Sequence, residues 1–150
     1  MVKIKYIVLT CFVIVILTGF FLFKRIPFGP GIYDFTKEVT GDYVLYRTSS
    51  NSVFIAPEDG WNDEIPTIPE KVIRLNDYND FIIAERQELK PRKLDRNDSY
   101  MIPDESKISY CILDTDKKYV LKNLNKNQFK RKLDSLGIPN QIELIDIYEY

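Results

Sequence analysis

The stretch ISYCILDTDKKYVLKNLNKNQFKRKLDSLGIP, residues 108–139, decides the fold. Ile108 to Leu113 is rich in β-branched and aromatic residues, Asp114-Thr115-Asp116-Lys117 has turn chemistry, and Lys118-Tyr119-Val120-Leu121 returns as a second strand. The period then changes from two to 3.6. Asn125 is a good N-cap, Gln128 completes a capping box, and Leu124 and Phe129 are spaced as a hydrophobic staple. Phe129, Leu133 and Leu136 lie at i, i+4 and i+7, a single apolar stripe opposite Lys126, Lys130 and Arg131. Gly137 is placed as a left-handed stop, Ile138 can fold back on Leu133, and Pro139 forbids continuation. The stretch therefore predicts a hairpin followed by a helix of about three turns.

Two further hairpins precede it. Residues 42–48 and Val53-Phe54-Ile55 flank Ser49-Ser50-Asn51; residues 71–75 and 80–86 flank Asn76-Asp77-Tyr78-Asn79. The expectation is an α+β fold: an antiparallel β-meander of about six strands in three hairpins, with the C-terminal α-helix packed on the sheet. Residues 142–148 read either as a seventh strand or as a loosely paired extension. Two longer loops interrupt the pattern. Residues 57–64 are acidic and contain Trp61, the only tryptophan, while Gln87 to Lys107 is polar, with Pro91, Pro103 and a basic run of Lys90, Arg92, Lys93 and Arg96.

Upstream, Tyr6 to Phe23 is a run of eighteen residues without a charge, preceded by lysines and followed by Lys24-Arg25. At ~1.5 Å per residue this is about 27 Å of helix, enough to cross a hydrocarbon core. It is longer than a secretory h-region and is not followed by a small-x-small cleavage site, so it reads as an uncleaved signal-anchor. Ile16-Leu17-Thr18-Gly19 is the run-up to a lipobox, but Phe20 stands where a lipidated cysteine would be. The expected organisation is a membrane anchor over 1–25, a Pro/Gly-containing spacer over 26–41, and a body over 42–150. Cations tie at two on each side of the span and leave orientation open by charge. A very short basic N-terminus usually stays inside, which places the body outside the cytoplasm.

Composition narrows the chemistry. The chain has 150 residues and a formal net charge of −1, but its first 25 residues hold four cations and no acid, so the body is acidic. That argues against a nucleic-acid partner, which needs clustered Lys/Arg. There is no histidine, the commonest general base and metal ligand. Cys11 lies in the span and Cys111 in a predicted strand, so the body has no pair for a disulfide; Cys111 reads as a small buried hydrophobe. Asp114-x-Asp116 departs from the calcium-loop pattern at Lys118 and reads as a solvated turn. No phosphate loop, dinucleotide fingerprint, G-x-S-x-G or C-x-x-C is present. No cofactor or metal is expected.

In order along the chain, Gly41-Asp42-Tyr43, Arg47-Thr48-Ser49, Ile68-Pro69 before Val72-Ile73, Phe81-Ile82-Ile83-Ala84, Tyr110-Cys111-Ile112-Leu113-Asp114-Thr115 and the Asn125–Leu136 helix form a pattern. With it, roughly residues 41–140 resemble a family of small uncharacterised bacterial lipoproteins, a domain of unknown function found mostly in Bacillus-like Gram-positive bacteria. Two positions depart from that family: Phe20 replaces its lipidated cysteine and Cys111 its strand tryptophan. The resemblance implies export and a cell-surface setting. It carries no activity and no functional residues.

The functional expectation is a single-span, membrane-anchored extracytoplasmic domain that binds a protein or envelope component without catalysis. The binding candidates are Trp61 with Glu58, Asp59, Asp63 and Glu64. One alternative is an envelope hydrolase working through those four carboxylates beside a sugar-stacking ring. Another is a small immunity or inhibitor protein with one tight protein partner.

Overall fold

A computed structural model describes residues 34–60, 64–92 and 100–150. The predicted span, Tyr6 to Phe23, lies outside these residues. No helix among the described residues is long and apolar enough to cross a membrane.

All three hairpins form, but they divide between two antiparallel sheets. The first contains β1 (Phe35–Glu38), β2 (Tyr43–Arg47) and β3 (Val53–Pro57), in that order. The second contains β4 (Val72–Tyr78), β5 (Phe81–Pro91), β6 (Met101–Asp114), β7 (Tyr119–Leu124) and β8 (Ile145–Asp146), in the order β7-β6-β5-β4-β8. The predicted helix is α1 (Lys126–Ser135). β1 falls within the stretch read as spacer; Phe35–Glu38 pairs with Val44–Arg47. β8 answers the question of the tail, pairing Ile145 and Asp146 with Leu75 and Arg74.

Two sheets arise because the central strands are apolar on both faces. Ile82, Ile83 and Ala84 of β5, and Cys111, Ile112 and Leu113 of β6, are all buried. Side-chain alternation sends Ile82, Ala84, Cys111 and Leu113 into one core with Tyr43, Leu45, Val53 and Ile55 of the first sheet. It sends Ile83 and Ile112 into a second core with Phe129, Leu133, Ile138 and Leu144. The described body is therefore three layers, sheet on sheet on helix, where a single sheet with a helix was expected. Each fully buried Ile or Leu contributes about 1.5–3 kcal/mol, so both cores are needed.

The helix ends follow their sequence signals. The Asn125 side chain accepts from the Asn127 and Gln128 amides at 3.0 and 2.9 Å, while Gln128 Oε1 accepts from the Asn125 amide at 2.9 Å. At the other end Gly137 has φ +70°, and the Gly137 and Ile138 amides donate to the Asp134 and Leu133 carbonyls at 3.2 and 3.0 Å. This is a Schellman stop.

Three turns meet at one end of the sandwich. The Thr115 amide and hydroxyl both donate to the Asp80 carbonyl, at 2.8 and 2.9 Å. The Thr40 hydroxyl donates to the neighbouring Asn79 carbonyl at 3.1 Å. Gly41, with φ +66°, lies directly against Thr115: a Cβ there would stand 2.4 Å from both Cβ and Oγ1 of the threonine. The C-terminal segment is tied to β1 and β4. Lys37 Nζ donates to the Ile147 carbonyl at 3.0 Å, and the Arg47 guanidinium packs against both the Phe35 and Tyr148 rings, at 5.9 and 5.7 Å. The two rings themselves meet edge-on at 6.1 Å. Tyr150 Oη donates to the Asp77 carboxylate at 2.6 Å; burial, then that carboxylate, pushes the phenol pKa up.

β5 and β6 run well beyond the sheet. Past the Lys71–Gln87 pairing, residues 88–91 and 101–104 form a two-stranded ribbon. Its register shifts between Gln87↔Ile108 and Glu88↔Asp104, so Glu105, Ser106 and Lys107 bulge out of β6. Asp104 holds the bulge: its Oδ1 accepts from Ser106 Oγ at 2.7 Å, the Ser106 amide at 3.3 Å and Lys90 Nζ at 3.1 Å. The Ser106 hydroxyl and then Lys90 hold its carboxyl below the usual carboxylate range.

Two outcomes are expected. Gly41→Ala combines overpacking with a left-handed backbone and should cost about 2–4 kcal/mol in urea unfolding; an unchanged midpoint would remove Gly41 from the joint. The depressed Asp104 carboxyl contributes stability above its unfolded pKa of about 4, and that contribution disappears as pH falls through the folded value. Asp104→Asn should therefore lower the urea midpoint at pH 7 and narrow the difference between pH 7 and acid. A parallel shift at both pH values would contradict this.

Candidate functional site

The acidic loop begins where β3 ends. The Glu58 amide donates to the Asp42 carbonyl at 3.0 Å, and Gly60 at φ +92° turns the chain. Glu58, Asp59 and Glu64 are exposed. Trp61 and Asp63 lie outside the described residues. Asp59 and Glu64 help line an open cleft of about 430 Å³ with Gly41, Asp42, Pro66 and Lys118. One wall is well fixed: Tyr43 Oη donates to the Pro66 carbonyl at 3.1 Å, and Lys118 Nζ stands 5.4 Å over the Tyr43 ring. The cleft thus brings together Asp59 and Glu64, two of the four carboxylates read from sequence, and leaves Glu58 outside its lining. A glycosidase acid needs a carboxyl shielded from water; the three described carboxylates stand in solvent. Their arrangement suits binding of polar or cationic groups.

A larger groove, of about 630 Å³, opens between the β2–β3 turn, Glu70 and the end of the β5–β6 ribbon. The sequence does not announce it, because the polar, proline-containing stretch Gln87 to Lys107 reads as a loop. Ser49 Oγ accepts from the Asn51 and Ser52 amides at 3.3 and 3.0 Å and so shapes the turn. From that turn, Asn51 Nδ2 donates to Tyr100 Oη at 3.2 Å and Ser52 Oγ donates to Glu70 Oε1 at 3.2 Å. Arg92 stands 5.1 Å over the Tyr100 ring, and its amide donates to the Tyr100 carbonyl at 3.0 Å. Tyr100 is 50% exposed and Met101 40%. The one signal available in the sequence was Tyr100-Met101-Ile102, an apolar triplet inside an otherwise polar segment.

Beneath the groove, Glu70 is fastened by a buried cation. Arg86 Nε donates to the Glu70 carbonyl at 3.0 Å, Nη2 donates to the same oxygen, and Nη1 donates to Asn123 Oδ1 at 3.0 Å. Asn123 has φ +56°, in the register shift where Tyr110↔Leu124 gives way to Ile112↔Leu121. Nucleophilic chemistry finds little here. Cys111 is buried in the core, and burial pushes its thiol pKa up, the reverse of what a thiolate nucleophile requires. Among the described residues, no three or more Cys, Asp or Glu side chains gather in a way that could hold a metal ion.

No curated protein and no solved structure matches the chain. One family model does, that of a protein of unknown function, DUF3997, over residues 40–148. The matched segment starts at the joint formed by Thr40 and Gly41 with the Asn79–Asp80 turn and Thr115, and runs through β8. Since the match covers well over half of its length, this chain belongs to the DUF3997 family of proteins of unknown function.

Proposed function

We propose that the protein is a single-span, membrane-anchored domain whose body lies outside the cytoplasm and binds a protein or other envelope component without catalysis. The observation that carries the binding role is the groove at the ribbon end. It presents exposed Tyr100 and Met101 beside Arg92 and Glu70. Tyr, Met and Arg are the residue types enriched where proteins bind one another. Anchoring rests on the charge-free run from Tyr6 to Phe23, and export on the very short basic N-terminus that precedes it. The acidic cleft of Asp59 and Glu64 is a second candidate contact surface, suited to a cationic group.

Two experiments test this reading. A photo-crosslinking residue placed at Met101 in the full chain, in its native envelope, should capture one defined species. Tyr100→Ala should reduce that capture several-fold, and the same probe at Asp116 should not give it. No adduct at Met101, or equal adducts from both positions, would end the groove's role. An alkaline-phosphatase-type reporter fused after Tyr150 should be active; activity only from a reporter requiring the cytoplasm would overturn export.

A further inference from the structure

Residues 119–133 contain five cations, Lys122, Lys126, Lys130, Arg131 and Lys132, and no acid. The rest of residues 26–150 has the opposite balance, twelve cations against twenty-two acids. All five cations are exposed, and among the described residues none takes part in an ion pair. Their placement follows from the fold. Phe129 and Leu133 turn α1 onto the sheet, so Lys126, Lys130, Arg131 and Lys132 occupy the remaining arc. The helix packs over β6 and the edge strand β7. Half-exposed Tyr119 of β7 shares the α1 side with Leu121, while Lys122 alternates to the other face, so the α1 side carries the four helix cations. Asp134, the single acid of α1, is hydrogen-bonded by the Asn140 side chain. The body is a charge dipole with the helix as its positive end.

We infer that the α1–β7 face docks on anionic lipid headgroups of the membrane to which the chain is anchored. This rests on the anchoring proposed above. Ten residues separate Phe23 from Asp34, at most ~36 Å of extended chain, so an inserted span holds the body within reach of the bilayer surface. At that range even modest attraction is effective, because binding is intramolecular. Lys and Arg near an anionic surface supply the attraction, and an exposed tyrosine suits the headgroup layer. The acidic remainder of the body is repelled by the same surface, which selects one orientation.

The test uses the full chain with Asn127→Cys carrying a fluorophore on the exposed arc of α1. It is mixed with phosphatidylcholine vesicles, or with vesicles containing phosphatidylglycerol, both holding a headgroup-attached quencher. Flotation with phosphatidylcholine vesicles reads the anchor. Quenching that requires phosphatidylglycerol and fades at high salt reads the face. Replacing Lys126, Lys130 and Arg131 by Gln should weaken the phosphatidylglycerol-dependent approach about 100-fold, roughly fivefold per cation. Flotation with equal quenching in both lipids, or no effect of the triple replacement, overturns the docking face and leaves the anchor standing. Salt-sensitive binding to phosphatidylglycerol vesicles alone upholds the face and removes the anchor. Binding to neither lipid removes both. Response to inorganic polyphosphate with indifference to phosphatidylglycerol assigns the face to a soluble polymer and overturns the membrane docking.

Discussion

The contact of Gly41 with Thr115 is the constraint on which the rest of the body depends. Thr115 follows β6 and directs both its amide and its hydroxyl to Asp80, in the turn between β4 and β5. Gly41 lies between β1 and β2 with no room for a side chain. A single buried threonine thus brings together turns from both sheets and sets the distance between them. Lys118 over the Tyr43 ring repeats the tie one layer out. With the sheets clamped at this end, Tyr43, Leu45, Val53 and Ile55 meet Ile82, Ala84, Cys111 and Leu113 at close-packed separation.

The second core depends on the first. Because β5 and β6 are committed on one face to the first sheet, their other face is available only to α1 and the C-terminal segment. The stacked Tyr110 and Phe129 rings, with centroids 4.5 Å apart, fasten the helix there. The tail then closes the open edge of β4 through β8. The order of layers follows from two short apolar runs, Phe81–Ala84 and Tyr110–Leu113, that can be satisfied only by cover on both sides.

Local signals in the sequence were faithful; what joined them was not visible. Asn125, Gln128 and Gly137 specify their helix ends through contacts a few residues away, and the three hairpins are equally local. The division into two sheets depends on partners far apart in the chain, and the hydrophobic pattern carries it only in the unbroken runs of β5 and β6. β1 escaped notice because its four residues, Phe35-Thr36-Lys37-Glu38, have one apolar member. The ribbon escaped because Pro91 and Pro103 argue against strand. Both are tolerated there since the ribbon has no further neighbour to which their missing N–H groups would have to donate. The larger groove was lost with the ribbon, whereas the acidic loop was found by composition and its cleft by structure.

The bulge at Glu105–Lys107 has one more consequence. In a paired strand, adding or deleting one residue inverts the facing of everything beyond it. Here the three bulged residues stand between the core half of β6 and the ribbon that forms the groove, and the Asp104 carboxylate fixes where the two halves rejoin. Length can change on the ribbon side without passing the error inward. The body is therefore a fixed chassis with an adjustable jaw: the layers cannot drift, but the groove can be resized while the core alternation stays as it is.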